Sequence, residues 1–351
     1  MTDHDVAVVG GGPAGASTAV FLARSGLDTV VYDRGRSSIG RCAHLENYLG
    51  FPAGIDVETF YALAHDHIET AGGTLVDDMV ESVERIDGDG DGGDDDNDGD
   101  RDDSNCDRAG DEANGFRVTP QEGDPITATR VVAAARYDGE FLRGLDDEDA
   151  MFETHDHDGE THRHFARDYA DDEGATPVEG LYVASPSPET DAQAIAAAGR
   201  GAMVARRVLA DVRIADGWWP EAAEGVDWVR REAELTSEWA ERERWVEWFD
   251  EHHAEHAPVD VDSERFRRVR EAYLDEGRSP YLPDDEIEAR AASGHRTLAG
   301  HLDPEAVVDA HDAADLLDAI DDGTIRAYLD GRDHDGAAIA TSTDASAETG
   351  E

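Results

Sequence analysis

Three sets of side chains in this sequence are placed to do chemistry. The first is the turn Gly10-Gly-Gly12-Pro13-Ala14-Gly15, with Asp33 and Arg34 following it. Gly10 permits a tight turn after a strand, Gly12 lets the backbone approach a pyrophosphate, and Gly15 lets a helix pack closely on that strand. A helix starting there directs its partial positive charge at the phosphates. Asp33 stands 18 residues after Gly15, where a carboxylate accepts hydrogen bonds from both hydroxyls of a ribose. The order strand, glycines, helix, strand, acid predicts a dinucleotide site.

The second set is Cys42 in Gly40-Arg41-Cys42-Ala43-His44. A reactive thiolate there would draw on the positive charge of Arg41 or His44; otherwise Cys42 is small packing material. The third set is histidine. Asp158-Gly159 suits a two-residue hairpin turn, and folding the flanks onto it pairs His155 with His162. His155, His157, His162 and His164 then share a face that either holds a transition metal or is simply a solvated polar surface, the reading favoured here. His252-His-Ala-Glu255-His256 spells an inverted zinc-peptidase pattern, but five-residue matches arise easily in a chain with 15 histidines and 83 acidic residues.

These residues need elements to position them. Val6 to Val9, a helix from Pro13 to Ser25 closed by Gly26, and Thr29 to Tyr32 form a β-α-β unit. Further strands are predicted at Phe116 to Thr119, Ile126 to Ala133 and Gly180 to Ala184, with helices at Val57 to Thr70 and Ala192 to Leu209. Residues 87–115 are mostly Asp, Gly and Asn and bury too little apolar surface to order, so they read as a disordered acidic insertion containing Cys106. The dinucleotide domain thus spans residues 1–86 and 116–213. All six tryptophans lie between Trp218 and Trp248, and Trp228, Leu235, Trp239, Val246 and Phe249 recur at helical spacing from Val226 to about His256. This predicts one amphipathic helix opening a helical extension, 214–331. Shorter helices follow at Ser263 to Glu276, Asp284 to Ser293 and Pro304 to Asp330, before a disordered acidic tail, 332–351.

Composition bounds the setting. The 351 residues carry a formal net charge of -53, and all 30 basic residues are arginine. Self-repulsion on that scale destabilises a compact state unless salt screens it, which reads as adaptation to high salt. Spread acidity without a basic patch argues against nucleic acid. Two cysteines fit a reducing interior, no signal-like stretch opens the chain, and no apolar run approaches the ~20 residues needed to span a bilayer. The expectation is a cytoplasmic protein without a membrane partner.

The glycine fingerprint alone does not separate FAD from NAD. Glu46-Asn47-Tyr-Leu-Gly-Phe-Pro-Ala-Gly-Ile-Asp56, followed by a helix and Ala71-Gly-Gly-Thr, resembles a segment of the thioredoxin reductase family that runs Glu-Asn-Phe-Pro-Gly-Phe. In that family the asparagine touches the flavin, which implies the same for Asn47. Gln193-Ala194 matches a family helix whose opening amides face the flavin pyrimidine. Ala184-Ser185 stands where the family has Gly-Asp, whose aspartate binds the ribityl chain, so Ser185 offers only a hydroxyl there. Ala134-Ala135-Arg136 stands for the family's Ala-Thr-Gly. The family's second glycine fingerprint, for NADPH, and its Cys-x-x-Cys are absent, and Arg136 to Val178 is too short for that domain.

The resemblance implies an α/β fold in which a Rossmann-type parallel sheet carries FAD, plus an α-helical C-terminal extension that packs on it or forms a homodimer contact. The leading expectation is an FAD-dependent oxidoreductase with an external electron donor, a redox partner that is a small molecule or protein, and an unidentified substrate. The alternatives are a flavin- or dinucleotide-binding protein without turnover, and a disulfide reductase working through Cys42.

Overall fold

The computed structural model describes residues 2–35, 37–86, 115–135, 139–157, 160–187, 193–225 and 229–331, with backbone alone for 155–157 and 160–162. The acidic insertion, Cys106, Arg136, the turn Asp158-Gly159, Trp228 and the tail lie outside the described residues.

Strand β1 (His4–Val9) leads into helix α1 (Pro13–Arg24) and strand β2 (Thr29–Tyr32). Pro13 fits the first turn of α1, where its missing N–H costs nothing, and Gly26 at φ +87 turns the chain out of the helix. A 3-10 turn (Ser38–Arg41) and a short pair, β3 (His44–Leu45) with β4 (Ile55–Asp56), precede helix α2 (Val57–Thr70). Asp56 caps α2, its carboxylate accepting from the Thr59 amide at 2.8 Å. Then come β5 (Thr74–Val76), β6 (Val80–Ile86), β7 (Gly115–Pro120) and β8 (Ile126–Ala134). A 3-10 turn (Glu140–Leu142), α3 (Glu148–Met151) and the hairpin β9 (Phe152–His157) with β10 (Glu160–Phe165) lead to β11 (Leu181–Ser185) and α4 (Ala194–Ala215).

The main sheet runs β5-β2-β1-β8 in parallel, and β8 then serves two partners. Its first half, Ile126 to Ala128, pairs antiparallel with β7, which pairs with β6; its second half, Val131 to Ala134, pairs parallel with β11. β2 and β11 are buried along their whole length, as strands covered on both faces must be, so they read as unbroken apolar runs. α1 and α4 cover one face, packing Ala16, Ala19, Leu22, Val204 and Val208 against Val6, Val8 and Tyr182. The other face holds Phe116, Val118, Leu142, Met151 and Leu181, and the hairpin adds Phe152 and Phe165, whose rings meet edge to face at 5.7 Å. The register of that hairpin sets His155 opposite His162. The fold is therefore α/β with a mostly parallel sheet and a helical C-terminal part.

After α4 come α5 (Pro220–Ala223), β12 (Arg230–Arg231), 3-10 turns at Glu232–Glu234 and Ser237–Ala240, α6 (Arg242–His253), α7 (Glu264–Arg278), β13 (Tyr281–Leu282) and α8 (Asp284–Gly300). The single helix expected from Val226 to His256 is thus a correction: only its second half is α-helical. Ser237 takes φ +55, through which no α-helix can run, and Arg230 and Arg231 pair with Tyr281 and Leu282 instead. The aromatic residues still make a core, in which Trp219 stacks on Phe266 at 5.6 Å and meets Phe249 at 5.9 Å.

The chain divides into two compact units, Met1–Arg290 and Ala291–Glu351, parting inside the stretch expected as one extension. The second contains the end of α8, then α9 (Pro304–Asp309), α10 (Ala313–Ala319) and helical residues 322–331. The single helix expected from Pro304 to Asp330 is broken because Asp312 and Asp321 turn their carboxylates onto the Ala314 and Thr324 amides, each restarting the helix. Among the described residues no helix is long and apolar enough to cross a membrane.

Candidate functional site

A cavity of about 560 Å³ opens at the carboxyl ends of β1, β2, β8 and β11. This is where open α/β sheets place their ligands. It brings together Gly10, Gly12, Pro13 and Ala14 of the fingerprint, Asp33 and Arg34 after β2, and Cys42 and Asn47 from the following loop. Ser185 at the end of β11 and Gln193 and Ala194 at the start of α4 complete the expected set. Gly15 does not line the cavity; its role is beneath it.

Each glycine of the turn has a different neighbour. A Cβ on Gly10, which sits at φ +113, would meet the Ala134 carbonyl oxygen at 2.7 Å. One on Gly15 would stand 1.8 Å from the Gly10 carbonyl oxygen, so α1 could not start so close to β1. Gly12, the N-cap of α1, leaves the first-turn amides without a side-chain cap and so open to a ligand. Gly11 was not singled out in the sequence: a Cβ there would meet Asp33 Cβ at 2.6 Å and Oδ2 at 2.7 Å, so Asp33 folds over Gly11.

Asp33 is 6 % exposed. Its amide donates to the Val76 carbonyl at 2.9 Å, and its Oδ1 accepts from the Gly35 amide at 3.0 Å. Oδ2 is buried without an aligned hydrogen bond, although His65 Nε2 of α2 lies 3.1 Å away. His65 and Tyr61, one helical turn apart with rings 5.3 Å between centroids, were also missed, because α2 reads as an ordinary amphipathic helix. Burial and the Asp33 carboxylate push the Tyr61 phenol above its usual range. Arg34 reaches the cavity edge, with its Nη1 3.3 Å from Met79 Sδ.

The loop carrying Asn47 is fixed by aromatic packing. Tyr48 meets Phe60 of α2 at 4.8 Å and Phe51 at 6.0 Å, and Ala194 packs on the same cluster, tying this loop to the start of α4. Cys42 is exposed and free, with Arg41 and His44 also on the wall. Buried Phe141 closes one side and carries no polar atom that a sequence motif would flag. No tryptophan among the described residues lines the cavity. Among the described residues no group of three or more His, Cys, Asp or Glu is arranged to hold a metal ion; the side chains of His155, His157 and His162 lie outside that set.

A further property concerns helix starts. Of the helical elements among the described residues, only α1, the Ser38–Arg41 turn and α4 have no acidic residue in the first turn. Every other one does, from Glu58 of α2 to Asp315 of α10 and Asp322 of the last. The three exceptions all line the cavity. In a chain of net charge -53, helix starts without a first-turn acid gather at this one place among the described elements.

Residues 5–45 match the family model described as FAD dependent oxidoreductase. A comparison with curated protein sequences finds no match. Solved structures similar to this chain include a thioredoxin reductase from Gloeobacter violaceus, 16% identical, covering 65% of this chain and 98% of its own, with a TM-score of 0.44. Another is the atypical thioredoxin reductase TRi from Desulfovibrio vulgaris Hildenborough, 16% identical, covering 61% and 100%, TM-score 0.42. A third is T. acidophilum thioredoxin reductase, 16% identical, covering 61% and 100%, TM-score 0.41.

Proposed function

We propose that the chain binds FAD in this cavity and acts as an FAD-dependent oxidoreductase that takes its electrons from an external donor. The observation that carries the reading is the set of acid-free helix starts around a glycine-lined cavity, since uncapped amides and uncovered dipoles suit an anionic pyrophosphate. The residues present fit the group: a Cβ would fill the cradle at Gly10, Gly11 and Gly15, and Asp33 Oδ1, which accepts from the Gly35 amide, has a second lone pair for ribose.

When bound, FAD supplies the two-electron chemistry. The α1 amides would hold its pyrophosphate and Asp33 its adenosine ribose. Asn47 and the first amides of α4 would hold the isoalloxazine, with the Ser185 hydroxyl toward the ribityl chain. The α4 dipole favours negative charge developing on the ring near its N-terminus. Phe141 and the Tyr48 cluster would shield the ring from water, and Cys42 stands exposed on the same cavity wall. Ser185, standing where a carboxylate would bind more strongly, favours a second reading in which the nucleotide is bound without turnover.

The test is the visible spectrum of protein purified in multimolar salt, followed by release and identification of the nucleotide. Flavin bands that bleach with a donor and return with an acceptor support the enzyme. Flavin bands that never cycle support the binding reading, and colourless protein that refuses added FAD removes both.

A further inference from the structure

We infer that His65 is the positioning residue of the ribose acceptor, holding Asp33 from behind and making dinucleotide affinity depend on its own protonation. This rests on the dinucleotide reading of the cavity. The two oxygens of Asp33 have different surroundings. Oδ1 accepts from the Gly35 amide at 3.0 Å and keeps a lone pair for a ligand hydroxyl. Oδ2 is buried and pressed over Gly11, with His65 Nε2 3.1 Å away.

A carboxylate 6 % exposed with one oxygen lacking an aligned donor is costly unless something charged faces it. His65 is the side chain placed to do so. The groups facing the imidazole are the Asp33 carboxylate, the Gly11 carbonyl, and Tyr61 and Glu69 on its own helix. The Asp33 carboxylate holds the imidazole above the usual histidine range, against the opposing effect of burial.

His65 does not line the cavity. Its protonation does two things there. It fixes Asp33 with the Oδ1 edge toward the ribose, and it adds a positive charge directly under the turn that takes the pyrophosphate. Both favour the bound state, so the bound ligand raises the imidazole pKa further and affinity increases as the pH falls.

The experiment titrates FAD into the full chain freed of nucleotide, at fixed high salt, between about pH 8 and about pH 5.5. FAD is the suitable probe because its pyrophosphate keeps a constant charge over this range. Wild type should tighten by about tenfold toward low pH, the equivalent of a one-unit shift in a single group. His65→Gln keeps an amide donor at similar reach and should bind FAD with a nearly flat pH profile. His65→Leu should weaken binding at every pH, with fluorescence of the tryptophan core reporting that the fold persists. Binding whose pH profile is the same in wild type and H65Q overturns the inference and leaves the dinucleotide reading standing. No FAD binding at any pH overturns both.

Discussion

Gly201 of α4 lies so close to Ala14 of α1 that a Cβ would stand 2.1 Å from the Ala14 carbonyl oxygen. The Thr18 hydroxyl bridges the same crossing, 2.9 Å from the Ala14 oxygen and 3.0 Å from the Gly201 oxygen. These are the two α-helices that turn uncovered N-termini to the cavity, so their close approach fixes the spacing between the two ends of the proposed ligand. Gly201→Ala should therefore destabilise the fold by about 2 kcal/mol through overpacking and also weaken FAD binding. Thermal midpoint and flavin fluorescence would both move; a midpoint unchanged from wild type would show that the crossing relaxes freely.

Gly11 and Asp33 tie binding to folding. Gly11→Ala puts a methyl group 2.6 Å from the Asp33 Cβ, which no side-chain rotation moves, so the backbone must shift and both FAD affinity, by at least about tenfold, and the midpoint should fall. Asp33→Ala should also weaken binding, with a modest fall in the midpoint, because it leaves His65 and the Gly35 amide without their partner. A large drop in the Asp33→Ala midpoint would mean that the acid is structural.

His253 of α6 makes the aromatic core sensitive to acid. It is buried among Phe249, Trp248 and Tyr273, and neither ring nitrogen has a hydrogen-bond partner. Burial holds its pKa below the usual histidine value, with His252 and His256 adding to the effect. The unfolded chain then binds the proton more readily. Stability from this residue is complete above about pH 6.5 and is lost as the pH falls toward the folded-state value. His65, whose shift is upward, acts in the opposite sense, so the difference between variants is what reports on His253. His253→Phe should flatten the acid limb of that difference and add about 1 kcal/mol near pH 5.5, read by tryptophan fluorescence during unfolding. Parallel curves for the two proteins would contradict it.

Cys42 is exposed on the cavity wall, so bound FAD should slow its alkylation severalfold, followed by peptide mapping to separate it from Cys106. Equal rates with and without FAD would place the flavin elsewhere. If disulfide reduction is detected in wild type, Cys42→Ser decides whether the thiol takes part.

Much of the site was legible because its residues carry backbone signatures. The glycines of the turn, the acid after β2 and the Gln193-Ala194 helix start are local patterns, and the strands between them are short apolar runs with clear stops. His65 and Gly11 were not legible, because their importance lies in contacts with Asp33 across elements distant in sequence or hidden within the glycine run. The aromatic helix was overdrawn for a related reason. Leu235 and Trp239 fall on the same helical stripe as Val246 and Phe249, but a stripe records spacing only, and the positive φ at Ser237 has no counterpart in hydrophobic periodicity.

The division of β8 between two partners has a consequence for how this architecture can change. Chain leaving β8 at Ala135 returns in β11, hydrogen-bonded directly beside it. The excursion between them is closed at both ends by the sheet, and its Leu142, Met151, Phe152 and Phe165 belong to the core. Doubling a flexible loop at an exposed point of it costs only about 0.6 kcal/mol of closure entropy and shifts no strand register. The sheet is thus a clasp that holds both ends of this excursion, and growth at its exposed points leaves the clasp shut as long as those four side chains stay in place.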